Sequence, residues 1–360
     1  MLLESRYAVN RPITREMWAA APAAETKLAS LALQGGGAHG AFTWGVLDRL
    51  LEEPNFQIDG VSATSSGAMN AVVLAHGLTV GGREGAKQAL ADFWQKISEV
   101  GKTTLLQPSW YDRMTHNHGL EHSPAFFFFD MLTRVLSPYQ FNPLNYNPLK
   151  SALEAVVDFE RLRRESTIKL FLCATNVRTG KVCVFDNKEV SVTRVLASAC
   201  LPFLSQAVEI DGEYFWDGGY MGNPALFPLI YNCVSRDIIV IHINPTERLE
   251  IPRTAAEIMS RINEISFNSS LLREMRAIAF VTKLIDDGKL IDKNLKRLLV
   301  HSIEADDVMQ GLGVSSKLNA DWEFLMHLHQ IGRKRADRWL KAHLTSVGIE
   351  STVDIREKYL

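Results

Sequence analysis

Nothing in this chain approaches the roughly 18 consecutive apolar residues that a membrane-spanning helix needs. The stretch from Met1 to Arg15 carries Glu4 and Arg6 and lacks the apolar segment of a secretory signal. The expectation is a protein that stays in a cytosol-like compartment and meets a membrane only at its surface, unless an unread signal exports it. Net charge is scarce too: the formal value of -2 at pH 7 leaves no overall basic footprint, which argues against nucleic acid as a partner. Cysteine is rare, and Cys173, Cys183, Cys200 and Cys233 lie on or beside apolar runs without close pairing, so they read as reduced core thiols. No internal repeat or low-complexity tract occurs.

What the chain does have is 46% hydrophobic content over 360 residues. That suffices for one large α/β domain with an appended region, or for two domains, each with its own core. The organising stretch is residues 28–75. Leu28 to Gln34 reads as a strand that enters Gly35-Gly-Gly-Ala-His-Gly40, which opens a helix from Ala41 to Glu52. A second apolar run, Ile58 to Ala63, then meets Thr64-Ser65-Ser66-Gly67 and another helix. The glycine turn can present unpaired backbone N–H groups at a helix N-terminus, where negative charge is favoured. The second turn places Ser65 where a strand folds sharply back into a helix, as a nucleophile elbow does. Small neighbours, Ala63, Ser66, Gly67, Ala68 and Ala71, let that turn close tightly. A serine able to attack, beside donors able to hold an oxyanion, points to acyl transfer.

Further along, Gly77 to Gly85 is a glycine-rich connection, after which Ala86, Leu90, Phe93, Trp94 and Ile97 recur at helical spacing. Ile168 to Ala174 and Ile238 to Ile243 read as strands buried on both faces. Val208 to Trp216 alternates about an Asp-Gly turn, a hairpin signal, and its second arm delivers Asp217-Gly218-Gly219 at a strand exit. Beyond Pro252 the pattern is mostly helical. The helix from Trp322 to Leu344 carries Arg333, Lys334, Arg335, Arg338 and Lys341, read as a solvated face in preference to a membrane-binding one.

With these motifs in place, the chain closely resembles the patatin-like phospholipases. Gly35-Gly-Gly-Ala-His-Gly40 is similar to that family's oxyanion loop, Thr64-Ser65-Ser66-Gly67 to its Gly-x-Ser-x-Gly elbow, and Asp217-Gly218-Gly219 to its Asp-Gly-Gly/Ala motif. Asn223-Pro224 and the stretch from Ala197-Ser198 to Pro202 also follow the family pattern, so the likeness covers about residues 28–245. It implies an α/β three-layer fold with a mostly parallel central sheet; outside it, residues 1–27, with Pro12 and Pro22, read as an irregular arm and residues 246–360 as a helical C-terminal region. It also implies a lipid acyl hydrolase without cofactor or metal, in which Asp217 takes the proton of Ser65 and the N–H groups of Gly35, Gly36 and Gly37 stabilise the oxyanion. Ser66 N–H is a possible addition, and Gly40, Gly67, Gly218 and Gly219 support the motifs. Ala63 stands where the elbow normally has glycine, and His39 where the loop often has arginine. The substrate would be a lipid or fatty-acyl ester.

Other readings compete. Gly35-x-Gly37-x-x-Gly40 also satisfies the dinucleotide fingerprint, but its acidic partner would be Asp59, at the start of the second strand instead of its end. A Ser-Asp-His triad could recruit His242, although its place inside an apolar strand favours a core histidine. An inactive lipid-binding or scaffolding relative is the third rival. Residues 105–147 form an apolar insertion containing Phe126-Phe-Phe-Phe129. It is either a lid or lipid-facing patch or, as the preferred expectation, core filling. His116, His118 and His122 cluster there without a recognised metal motif, and Glu304, Asp306 and Asp307 read as a solvated turn.

Overall fold

The computed structural model describes residues 26–104, 106–109, 112, 114, 118–248, 250–289 and 295–360. All but the last two residues of the expected N-terminal arm lie outside them. The strands are β1 Lys27–Leu33, β2 Phe56–Ala63, β3 Lys169–Asn176, β4 Val182–Asp186, β5 Val208–Ile210, β6 Glu213–Asp217, β7 Asp237–Ile241 and β8 Leu299–Ile303. They form a single mixed sheet in the order β5-β6-β3-β2-β1-β7-β8, with β4 paired to β3. From β3 to β8 the strands are parallel; β4, β5 and β6 make antiparallel pairs at the other edge.

The main helices are α1 Gly40–Leu51, α2 Ser66–Lys102, α3 Pro124–Val135, α4 Pro148–Val156, α5 Ala255–Asp286 and α6 Trp322–His343. The three layers follow from the two-residue period of a strand. Leu31 and Leu33 of β1 and Ile239 and Ile241 of β7 face a core shared with α1, α2 and α6. Ala32, Ile238 and Val240, on the alternate positions, face a second core with Leu271 and Met275 of α5. Full burial of each such leucine or isoleucine stabilises by about 1.5–3 kcal/mol, so the sheet is held from both sides. The glycine-rich connection appears as a sharp reversal inside α2 at Gly81 and Gly82, where the helical dihedrals are lost.

The C-terminal region is largely helical but adds β8 to the edge of the same sheet. Three of the five residues of its basic run are paired: Arg333 with Asp48 of α1 and with Glu52 just past it, Arg335 with Asp307, and Lys341 with Asp337. The expectation that Phe126 to Phe129 fill core is overturned. No residue of α3 is buried, and Phe127 and Phe128 are 69% and 60% exposed, with Met131 and Val135 beside them. Among the described residues, no helix is long and apolar enough to cross a membrane.

Register explains why distant residues converge. Ile241, Leu33, Ala63 and Leu172 stand in one row across β7, β1, β2 and β3. Two residues further along β3, Ala174 is opposite Asp217 of β6. Gly35, Ser65 and Asn244 leave their strands two or three residues past the same row, so the crevice beyond the carboxyl ends of the strands collects all of them. That is where open α/β sheets place ligands.

Candidate active site

Ser65 has φ 56° and ψ -125° between β2 and α2. This is a left-handed conformation that costs a non-glycine residue about 1–3 kcal/mol and is tolerated where surroundings enforce it. The enforcement is visible: Ser65 N–H donates to Ser198 Oγ at 3.0 Å, and Gly67 lets α2 press onto β1. A Cβ at position 67 would lie 2.5 Å from the Leu33 carbonyl oxygen. Ala63, the departure from the family elbow, points its methyl into the main core as the last residue of β2, fully buried. Asn70 ties the loop to α2, donating from Nδ2 to Gly40 C=O at 2.9 Å.

Asp217 is fully buried. Its N–H donates to Cys200 C=O at 2.7 Å, its own C=O accepts from Thr175 Oγ1 at 2.8 Å, and Oδ1 accepts from Gly219 N–H at 2.7 Å. Gly218 packs against the Cys173 carbonyl and Gly219 against the Phe267 ring. Burial pushes the Asp217 carboxyl up to about 7; the Gly219 N–H, the Ser65 hydroxyl and the Lys317 charge pull it the other way. Among the described residues, Oδ2 has no hydrogen-bond partner of good geometry, even though the Ser65 hydroxyl is near enough to act on the carboxyl. The two observations fit a serine and an aspartate that are neighbours without a tight hydrogen bond at rest, as unliganded catalytic pairs often are.

The glycine loop is more constrained than its sequence implies. Gly35 N–H donates to Asn223 Oδ1 at 2.7 Å and Gly36 N–H to Ser66 Oγ at 3.1 Å, so both amides have partners at rest. Gly37 (φ 61°) and Ala38 open a 3-10 turn, where the first N–H groups have no intrahelical acceptor. Neither has a partner among the described residues, and the same holds for Ser66 N–H at the start of α2. Gly37 also has no room for a side chain, because a Cβ there would meet the Lys317 carbonyl. His39 does not reach into the crevice as a cation. It is buried, bonded through Nε2 to Ser316 Oγ at 2.8 Å, and pushed down to about 3 by desolvation and then by Lys317.

The rival residues are engaged elsewhere. His242 Nε2 lies 2.6 Å from Tyr359 Oη, its ring stacked on that tyrosine, and burial lowers its pKa to about 3. Among the described residues, no histidine acts on Asp217. Asp59 accepts from the N–H groups of Val234 and Ser235 at 2.5 and 2.7 Å, a structural clamp instead of a ribose ligand. His118 stacks on Phe324 and His327, His122 Nδ1 lies 2.7 Å from Asp112 Oδ1, and His116 is outside the described residues. Among the described residues, no cluster suited to a metal ion occurs. Asp306 departs from the expected solvated turn, since burial pushes it up to about 6.

Asn223, Ser198 and the prolines near them were visible only as parts of the resemblance. Asn244 and Lys317 carried no signal at all. Lys317 Nζ donates to Asn244 Oδ1 at 2.8 Å, and Asn244 Nδ2 donates to Gly35 C=O at 2.7 Å.

A strand-to-helix elbow and a glycine loop at the carboxyl edge of a three-layer α/β sheet set the class of this fold. Residues 31–230, more than half of the chain, match the family described as patatin-like phospholipase, and the protein belongs to that family. Membership supports lipid acyl hydrolysis as its class of activity. Solved structures similar to it include VipD from Legionella pneumophila, at 16% identity and TM-score 0.40, covering 89% of this chain and 68% of that one. Another is the ExoU-SpcU complex from the type III secretion system of Pseudomonas aeruginosa, at 15% identity and TM-score 0.35. That match covers 89% of this chain and 52% of the other, so the chain spans about half its length. No curated protein matches the chain.

Proposed function

We propose that this protein hydrolyses carboxylic ester bonds of lipids through a Ser65–Asp217 dyad, with no histidine and no cofactor. The carrying observation is the Asp217 carboxyl: buried, next to Ser65, and, among the described residues, with Oδ2 unpartnered and no imidazole acting on it. With a pKa near neutrality it is a competent base at neutral pH, which an aspartate in water is not. Oδ2 takes the proton from Ser65 Oγ as that oxygen attacks the ester carbonyl. The tetrahedral oxyanion is held by the open N–H groups of Gly37, Ala38 and Ser66, while Gly35 and Gly36 hold the loop in shape. Collapse expels the alcohol, which recovers the proton from Asp217. Water, deprotonated by the same carboxylate, then releases the fatty acid.

An apolar groove of about 640 Å³ supports a lipid substrate. It is lined by Val135, Leu136, Pro202, Phe203, Trp216 and Tyr220, of which Trp216 precedes Asp217 directly and Tyr220 follows it by three residues, and its size falls within that of typical ligand sites. The end of α3 forms one wall through Thr133, Arg134 and Val135, and the exposed Phe127 and Phe128 earlier in the same helix would seat on the lipid surface that supplies the substrate. The test is a panel of phospholipid, neutral-lipid and short-chain esters on wild type beside Ser65→Ala. Activity on at least one long-chain ester that disappears in the variant is expected; esterase activity unchanged in Ser65→Ala would reject the assignment.

A further inference from the structure

We propose that Lys317, which lies beyond the segment matched to the family, is a positioning residue for this reaction: its ammonium fixes Asn244 against the glycine loop and supplies positive charge to the Asp217 carboxylate. The inference rests on the dyad reading and adds a residue from the C-terminal region to it.

The geometry is a relay. Lys317 sits in the 3-10 turn Val314–Leu318. Its Nζ donates to Asn244 Oδ1 at 2.8 Å, Asn244 Nδ2 donates to Gly35 C=O at 2.7 Å, and Asn244 N–H donates to Gln34 Oε1 at 3.0 Å. The Lys317 main chain presses on Gly37 from the other side. The turn is itself anchored: Ser316 Oγ meets His39, and Ser315 Oγ accepts from Leu120 N–H at 3.0 Å. A loop whose open amides must aim at a developing oxyanion benefits from such bracing, because misplacement of a preorganised donor directly lowers transition-state stabilisation.

The charge argument is independent of the relay. Lys317 as a residue is partly exposed, but its ammonium lies in the interior. The groups facing it are Glu264 and the Phe267 ring of α5, Arg248, Asp217 of β6 and the neutral His39 of the loop. Arg248 and Arg261 both pair with Glu264, so much of that carboxylate's charge is already balanced. Burial lowers Lys317 to about 8, with Glu264 and Asp217 opposing. It is therefore charged through the range in which Asp217 ionises and loses its charge just above.

The test is the pH dependence of kcat/KM for a soluble short-chain p-nitrophenyl ester in wild type, K317M and K317R, with D217N as reference. Wild type should lose activity below about pH 7 with Asp217 and again above about pH 8 with Lys317. K317M should lose at least tenfold at its optimum, its acidic limb should move to higher pH, and its alkaline limb should disappear. K317R, which stays charged, should keep the acidic limb and lose the alkaline one. If K317M does not fold, the K317R alkaline limb decides. A folded K317M with the wild-type acidic limb and full activity overturns the inference, as does a K317R profile that keeps the wild-type alkaline limb. D217N turning over normally would instead remove the dyad, a separate outcome.

Discussion

At the carboxyl end of the sheet, Ser65, Asp217, Asn223 and Asn244 are polar groups taken out of water. In α3, across the groove, Phe127, Phe128, Met131 and Val135 are apolar groups left in it. The two regions reverse the usual sorting of residues, and each reversal costs stability. In the crevice the cost is desolvation, which raises Asp217 to about 7. On the helix it is unburied hydrocarbon. Sequences that are otherwise locally consistent break their own rules mainly at functional sites, and the groove walled by the end of α3 is also lined by Trp216, the residue before Asp217.

The sharpest way to break the comparison is in the crevice. Ser65→Ala removes the proposed nucleophile, and ester turnover should fall at least about 10³-fold while circular dichroism and melting show the fold retained.

Asp217→Asn should separate activity from stability. Because the folded-state pKa lies above the ordinary carboxylate value of 3.8, the native protein holds a proton that the unfolded chain releases between about pH 4 and 7. Stability from this group is therefore fully present below pH 4 and lost as pH rises through 7, by an amount on the order of a few kcal/mol. Asp217→Asn cannot ionise and should melt higher than wild type at pH 8, with the difference vanishing near pH 4. A lower melting temperature at pH 8 would contradict the desolvated carboxylate.

On the other side of the groove, Phe127→Ser with Phe128→Ser should lower hydrolysis of vesicle-bound lipid by about tenfold. It should leave a soluble ester untouched and shift stability by no more than about 0.5 kcal/mol, as expected for exposed positions. Equal loss on both substrates would mean that the helix serves the crevice and not a lipid surface. The smallest effect is expected at His242. His242→Phe should destabilise the protein by removing its bond to Tyr359, yet change turnover per folded molecule less than about twofold, as read by active-site titration; a triad would lose nearly all of it.

The crevice was legible where its chemistry is local. A glycine turn, an elbow serine and an Asp-Gly hairpin are written in consecutive residues, and the hairpin formed with Asp211 and Gly212 at positive φ. Lys317 was not legible, because nothing around it signals a partner far back in the chain; only the fold brings its turn to the loop. Nor was the facing of α3: the periodicity of Phe126 to Val135 gives an apolar helix without saying which side, if any, is covered. β8 was missed for a related reason. Leu299 to Ile303 is too short an apolar run to stand out within a helical region, and its identity depends on β7 offering a free edge.

The central claim is tested most directly by the rate at which a fluorophosphonate probe labels Ser65, measured from pH 5 to 9 in wild type and Asp217→Asn. A carboxylate acting as the base predicts wild-type labelling that rises through about pH 7 and a variant that labels slowly throughout. Asp217→Asn labelling at the wild-type rate, with the same pH dependence, would contradict it.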